Sequence, residues 1–400
     1  MLRPMDLAFK GDDRRWSQLR VLDGGFGTEL EASGFHINGN PLWSANALFQ
    51  RPDLVVDIHK RQEMVFLSFD FVSSFHIKFR KSVDLAYQAA YECKLNYGKS
   101  AEIIGSVGSY ATALSDASEY NGHYVDEVEK SVIVQHYVEQ SSPLLEKGLR
   151  FLAYESVPAV AEVGAILSAL DSLNPDVKCW ISLTCKFYNM QHSRILSILV
   201  IMQPAAKEEW ERQVYCGIAS STALKNFRKD IDVRLMCGNS PVELFYRPEK
   251  QSCRCTSIPP LLTSSPSPST YIYLLGEVPR ILDGEHTSHN DKVEEAAKVA
   301  LSHSKVLAVG INCTSPLHIS SLLKKIQPHL LTKFAVVYPN SGEEYNSSDN
   351  SWTAQNEEWI TETNIRQWHQ LGVKLVGGCC RVTPAMINTI ARCVHQLLKS

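Results

Sequence analysis

Eight short apolar runs rich in β-forming residues, most followed by a stretch of helical period, predict an α/β fold. The expected form is a (β/α)8 barrel of the TIM type with a long insertion after its fifth strand. Two further observations point the same way. The chain has 400 residues, well over the roughly 250 that such a barrel takes, and one stretch after the fifth run holds much of the excess. Polar residues also gather at the C-terminal ends of the runs, the face on which barrel enzymes act. The count of runs alone also fits an open doubly wound sheet.

The runs, in order, are Val21-Leu22-Asp23, Asp70-Phe71-Val72-Ser73, Ile103-Ile104-Gly105-Ser106, Phe151-Leu152-Ala153-Tyr154, Cys179-Trp180-Ile181-Ser182-Leu183, Val306-Leu307-Ala308-Val309-Gly310, Phe334-Ala335-Val336-Val337 and Lys374-Leu375-Val376. Most are continuously apolar, as befits strands of a parallel sheet covered on both faces. Between them the period changes. In residues 291–301 the apolar Val293, Ala296, Ala297, Ala300 and Leu301 recur at helical spacing.

Three segments result: 1–186, the first part of the barrel; 187–282, the insertion; and 283–400, the rest of the barrel. A loop from a strand to its helix normally takes about 2–6 residues, so the middle segment is an anomaly. It holds 8 of the 18 prolines, and its apolar residues keep no sustained helix or strand period. That composition predicts a loop without a compact core, with a small inserted domain as the alternative.

Forty basic and 43 acidic residues, well mixed, give a formal charge of −3. There is no basic stripe, so nucleic acid is not an expected partner. Residues 1–20 are charged and lack an apolar core, which argues against a signal peptide. The longest apolar stretch outside the runs, 195–202, is too short to span a bilayer, so no membrane partner is expected. Eleven cysteines, an odd number without framework spacing, fit a reducing compartment, and the expected location is the cytoplasm. The oligomeric state is left open, a monomer included.

The sixth run leads into Gly310-Ile311-Asn312-Cys313-Thr314 and the eighth into Val376-Gly377-Gly378-Cys379-Cys380-Arg381. Cys313, Cys379 and Cys380, at the ends of two buried strands, have the makings of a three-thiolate site with one coordination position open, as a catalytic zinc needs. Adjacent cysteines seldom form a disulfide, because the ring is strained. The other reading of these residues is three buried apolar thiols. Asp23, Ser106, Glu155 and Asn340 also fall at or just after strand ends. Taken singly, Asp23 before Gly24-Gly25 fits a turn and Glu155 fits a helix cap. Together with three cysteines they fit a catalytic face. Cys253-Arg254-Cys255 with Cys237 matches no strong zinc spacing.

At this point the chain resembles the zinc-dependent homocysteine S-methyltransferases. The resemblance rests on Leu22-Asp23-Gly24-Gly25-Phe26-Gly27-Thr28-Glu29-Leu30, Asn40-Pro41-Leu42-Trp43-Ser44-Ala45, Gly105-Ser106-Val107-Gly108, Asp116-Ala117-Ser118-Glu119-Tyr120, Glu155-Ser156-Val157-Pro158, Trp180-Ile181-Ser182-Leu183-Thr184-Cys185-Lys186, Val337-Tyr338-Pro339-Asn340-Ser341-Gly342-Glu343 and the two cysteine motifs. It implies the same barrel, a Zn2+ cofactor on Cys313, Cys379 and Cys380, and contacts from Asp23 and Glu155 to the amino group of homocysteine. Gly24, Gly25 and Asn312 join these as substrate-binding positions. The implied activity is a methyltransferase step of methionine biosynthesis, with homocysteine and a sulfonium donor (S-methylmethionine or S-adenosylmethionine) as partners. Betaine is the alternative donor.

The chain also departs from the family. Ser73-Ser74-Phe75-His76 stands where the family has a Ser-Ser-Tyr-Gln type of stretch, which puts the second unit's substrate contact in doubt, and Thr184 stands where an Asn is common. Removing 187–282 joins Cys185-Lys186 to Asp283-Gly284 much as the family reads. The segment therefore resembles a translated intron, with a genuine domain as the alternative. A zinc-binding but catalytically impaired isoform is a competing reading.

Overall fold

Eight strands build one sheet: β1 (Arg20–Val21), β2 (Phe66–Leu67), β3 (Ile104–Gly108), β4 (Phe151–Val157), β5 (Lys178–Leu183), β6 (Val306–Asn312), β7 (Phe334–Tyr338) and β8 (Val373–Val376). Their order is β1-β8-β7-β6-β5-β4-β3-β2, and every ladder is parallel. Each strand from β2 onward thus lies beside its successor in the chain, and the first lies beside the last. That neighbour pattern belongs to a curled sheet of TIM-like type. A ladder from β1 to β2, which would complete the circuit, is not among the described pairings. The computed structural model describes residues 18–37, 43–61, 66–67, 75–98, 101–114, 118–186, 198–202, 233–237, 240–247, 252–255, 270–276, 284–343, 345–346, 351–352 and 358–399. The second run read from sequence, 70–73, lies outside these residues, as do the side chains of the substituted 73–76 stretch.

Eight helices follow the strands in turn: α1 (Pro52–Arg61), α2 (Phe75–Tyr97), α3 (Lys130–Glu146), α4 (Val160–Ser172), α5 (Val293–Leu301), α6 (Pro316–Ile326), α7 (Glu362–Gln370) and α8 (Pro384–Lys399). Three of them open on proline, whose fixed φ and missing N–H suit the first turn. Thr361 caps α7 by accepting from Asn364 N at 3.1 Å.

The period of two along each strand sorts side chains into two cores. Phe151 and Ala153 of β4, Trp180 of β5, Ala308 of β6, and Phe334, Val336 and Tyr338 of β7 pack inside the curl with Leu22, Ile104 and Leu375. Their alternates, among them Leu152, Tyr154, Cys179, Ile181, Val309, Ala335 and Val337, pack outward against the helices. Both faces are therefore apolar, which explains why the strands read as continuous hydrophobic runs.

The chain divides into two compact units, Met1–Phe187 with Asp283–Ser400, and Tyr188–Leu282. Taken alone, the second unit holds five antiparallel strands, ordered Ile198–Met202, Thr270–Gly276, Val233–Cys237, Ser240–Arg247, Ser252–Cys255. The sequence reading assigned no strand here. The runs are short and interrupted, although Ile198–Met202 and Thr270–Gly276 carry the β-branched and aromatic residues that suit a pleated surface. The rest of 187–282 lies outside the described residues.

Within the first unit, the two flanks of this segment are bonded to each other. Cys185 and Thr287 form an antiparallel bridge. Lys186 N donates to His286 O at 3.1 Å, and Ser288 N donates to Thr184 O at 2.9 Å.

The loop after β3 is tied down by a buried carboxylate. Glu162, in the first turn of α4 and fully buried, accepts from Tyr110 N at 2.7 Å, Tyr137 OH at 2.8 Å and Tyr124 OH. Burial raises its pKa against the lowering effect of these donors. Glu162→Ala orphans three donors at once, and we expect it to cost about 2–4 kcal/mol of stability. Equilibrium denaturation of the variant checks this; a change below about 0.5 kcal/mol would remove the network from the list of what holds the loop.

Candidate metal centre and active site

The two cysteine segments meet at the C-terminal ends of β6 and β8. Cys313 follows β6 directly and adopts a left-handed backbone, φ 46°. Cys379 and Cys380 follow β8 through Gly377-Gly378. Cys379 N donates to Pro339 O at 2.8 Å and Ser341 N to Cys380 O at 3.1 Å, so the loop after β7 buttresses the pair. Although 67 residues apart in sequence, Cys313 and Cys380 bring their Sγ atoms to 3.9 Å. Cys379 Sγ lies 4.0 Å from Cys380 Sγ, and all three sulfurs lie within 4.8 Å of one another. Thiolates at about 2.3 Å from a tetrahedral zinc stand roughly 3.8 Å apart, so the trio needs little movement to hold that ion. Among the described residues it is the one His, Cys, Asp or Glu group of metal-binding geometry.

As thiols, the three share charge unequally. Hydrogen bonding with Cys313 and Cys379 holds the Cys380 thiol well below the ordinary range. Cys313, hydrogen-bonded to Cys379 and Cys380 and buried, is pushed well above it. Cys379 is lowered by Cys313 but raised more by Cys380 and burial together, and ends well above it. A cation displaces the protons that the cluster retains, which couples metal binding to pH. Beside Cys380, Arg381 (φ 66°) forms an ion pair with the buried Glu343. The phenol of Tyr120, in the loop after β3, is raised first by charge on Cys380, then by burial and by Cys313.

A second group of polar side chains caps the inner core. Glu155 stands two residues above Ala153 on β4, is buried, and accepts from Ser106 Oγ. Tyr338 OH receives Trp180 Nε1 at 3.2 Å and bonds Ser182 Oγ. Burial first, and Glu155 next, raise the pKa of Tyr338. Glu155 and the cysteines all stand at the C-terminal ends of parallel strands and so at one mouth, where Glu155 contributes to raising Cys379. Asn340 Oδ1, between the two cysteine segments, is buried without a hydrogen-bond partner among the described residues.

Asp23 is buried at the end of β1, and its carbonyl accepts from Gly378 N at 3.0 Å. Gly24 and Gly25 serve close packing. A Cβ on Gly24 would meet Val382 O at 2.4 Å, and one on Gly25 would meet Cys379 O at 2.7 Å. The first and last strand ends thus interlock backbone to backbone beneath the cysteines. Asn312 is 1% exposed, and both ends of its amide engage Ser156. Sequence reasoning assigned no role to Ser182, Tyr338, Tyr120 or the Arg381–Glu343 pair. Each of them stands inside a run or motif quoted above, without a role of its own.

Comparisons with known proteins point to one family. The family described as homocysteine S-methyltransferase matches residues 20–62, 70–210 and 276–394. The longer internal unmatched interval, 211–275, is narrower than the 187–282 read from sequence. Homocysteine S-methyltransferase 3 of Arabidopsis thaliana is 26% identical, covering 93% of this chain and 88% of its own. Selenocysteine methyltransferase of Astragalus bisulcatus is 25% identical, covering 95% and 92%. The homocysteine methyltransferase MmuM from Escherichia coli, in its metallated form, shares the fold with a TM-score of 0.58 at 21% identity, covering 94% of this chain and 96% of its own. Matched over more than half its length, including Asp23, Glu155 and all three cysteines, the chain belongs to the homocysteine S-methyltransferase family of enzymes.

Proposed function

We propose that this enzyme transfers a methyl group from a sulfonium donor, S-methylmethionine or S-adenosylmethionine, to homocysteine, giving methionine, with one zinc on Cys313, Cys379 and Cys380. The observation that carries this reading is the sulfur trio, spaced for tetrahedral zinc and supplying three protein ligands rather than four. Bound zinc supplies the Lewis acidity that lowers the pKa of the homocysteine thiol, which at about 8.5 is otherwise mostly protonated at neutral pH. The chain's own residues position and select. Asp23 and Glu155, both buried at the mouth, attract the ammonium of homocysteine by charge. Gly24 and Gly25 let the first loop close against the cysteines. A sulfonium methyl is activated by its own positive charge, so the leaving group needs no general acid. Thiols that must stay reduced to hold a metal suit a reducing compartment, hence the cytoplasm.

The test is methyl transfer measured with a panel of donors, betaine included, and of acceptors, selenocysteine included, beside zinc content of the same preparation. Transfer from a sulfonium donor to homocysteine at one zinc per chain is the expected result. Zinc without transfer to any acceptor would overturn it.

Two further outcomes belong to this reading. Gly25→Ala, whose Cβ would press on the Cys379 carbonyl, is expected to weaken zinc affinity at least about tenfold, read by competition with a chelating dye. Residues 187–282 are read as an insertion that the catalytic unit does not need. The support is the bonded neck formed by Thr184, Cys185 and Lys186 with His286, Thr287 and Ser288. A chain lacking the segment is expected to keep zinc content and a homocysteine KM within about twofold of the full chain. Higher activity after deletion would favour an impaired isoform, and abolished activity would make the segment a working domain.

A further inference from the structure

At the C-terminal end of β4 the ladder to β5 slips. Tyr154 pairs with Ile181 and Val157 with Leu183, so Glu155 and Ser156 together stand opposite the single Ser182. This is a β-bulge at the end of the strand: Glu155 keeps its register with Gly108 of β3 and the inward side of Phe151 and Ala153, and the slip after it leaves Val157 outside with Tyr154. Ser156 carries its cost with φ 60°, a left-handed backbone that a residue with a Cβ seldom adopts. The bulge gives up ladder bonds, and Ser156 finds a partner elsewhere. Its N–H donates to Asn312 Oδ1 at 3.0 Å, and its Oγ accepts from Asn312 Nδ2 at 2.8 Å.

Asn312 belongs to β6, and β5 lies between β6 and β4 in the sheet. The amide therefore reaches past the end of one strand to pin the next but one. Asn312 is also the residue before Cys313, which has its own left-handed φ of 46°. Thr314 Oγ1 donates to Asn312 O at 2.8 Å and accepts from Cys185 N at 3.1 Å, which holds the same turn from the β5 side.

We propose that Asn312 is a positioning residue: its amide clamps the β4 bulge at Glu155 and Ser156, and so holds the strand end that carries Glu155 to the strand end that carries Cys313. The inference rests on the reading of Glu155 as the carboxylate that binds homocysteine. It gives Asn312 a role without substrate contact, since both ends of its buried amide already serve Ser156.

The experiment uses the zinc-loaded full chain. Asn312→Ala is expected to raise the homocysteine KM about tenfold, with kcat within about threefold and zinc content unchanged. Ser156→Ala keeps the backbone bond and loses only the hydroxyl partner, so a smaller rise, about threefold, is expected; it serves also if Asn312→Ala folds poorly. Combined with Glu155→Gln, Asn312→Ala is expected to add no further rise in KM, because both act on one carboxylate. Additive effects would overturn the proposal. A crystal structure of Asn312→Ala decides separately: Ser156 leaving the left-handed region with Glu155 turned from the mouth supports the clamp, and both unmoved refutes it. That arm holds even if the wild type fails to methylate homocysteine, a result that would overturn the proposed function alone.

Discussion

Cys380→Ala is expected to strip the enzyme of most of its zinc and to lower methyl transfer at least about 10³-fold. Cys380 lies 3.9 Å from Cys313 and 4.0 Å from Cys379, sulfur to sulfur, and its thiol is held well below the ordinary range by hydrogen bonding with both. Its loss removes one of three metal ligands and the sulfur that neighbours both of the others. Two thiolates cannot by themselves replace the third, and a factor of about 10³ corresponds to only about 4 kcal/mol of site free energy. Cys313→Ala and Cys379→Ala are expected to behave alike. Cys393→Ala, on α8 and away from the mouth, serves as the control that retains zinc and activity. Elemental analysis beside product formation is the measurement. Full metal occupancy in the Cys380→Ala protein would dismiss the assignment.

The second large effect concerns charge at the mouth. Glu155→Gln and Asp23→Asn preserve shape and remove one negative charge each from buried positions. A charge-assisted hydrogen bond to an ammonium contributes about 1.5–3 kcal/mol, so each variant is expected to raise the homocysteine KM by about 10- to 150-fold. Zinc content should stay unchanged, and kcat should fall less than KM rises. Steady-state kinetics with homocysteine varied at saturating donor reads this split. Loss of zinc, or an unchanged KM in either variant, would count against binding by these carboxylates.

Much of this was legible in the chain. The runs at Phe151, Cys179, Val306 and Phe334 coincide with β4, β5, β6 and β7, because strands covered on both faces have no polar alternation to hide them. The three cysteines were legible because each ends such a run, and strand ends on one side of a parallel sheet converge. What stayed hidden depends on register. Nothing local in Ser182 or Tyr338, 156 residues apart, announces that they meet; only the alignment of β5, β6 and β7 brings them together. The bulge at Glu155 and Ser156 is equally silent, since a one-residue slip leaves no mark on composition. The strands between Ile198 and Gly276 were missed because short apolar runs among prolines and serines carry no sustained period.

The neck at Lys186 and His286 has a consequence for how the chain assembles. β5 must pair with β6, yet the whole segment 187–282 is synthesised between them. Joining ends across that span instead of a loop of about 6 residues adds roughly four doublings of loop length, each costing about 0.6 kcal/mol in closure entropy. During translation, residues 1–186 therefore emerge as half a sheet whose β5 edge waits, unpaired, for its neighbour. Unpaired parallel edges recruit other chains. The yield of active enzyme should thus depend on translation speed and chaperone supply more steeply than its final stability would suggest.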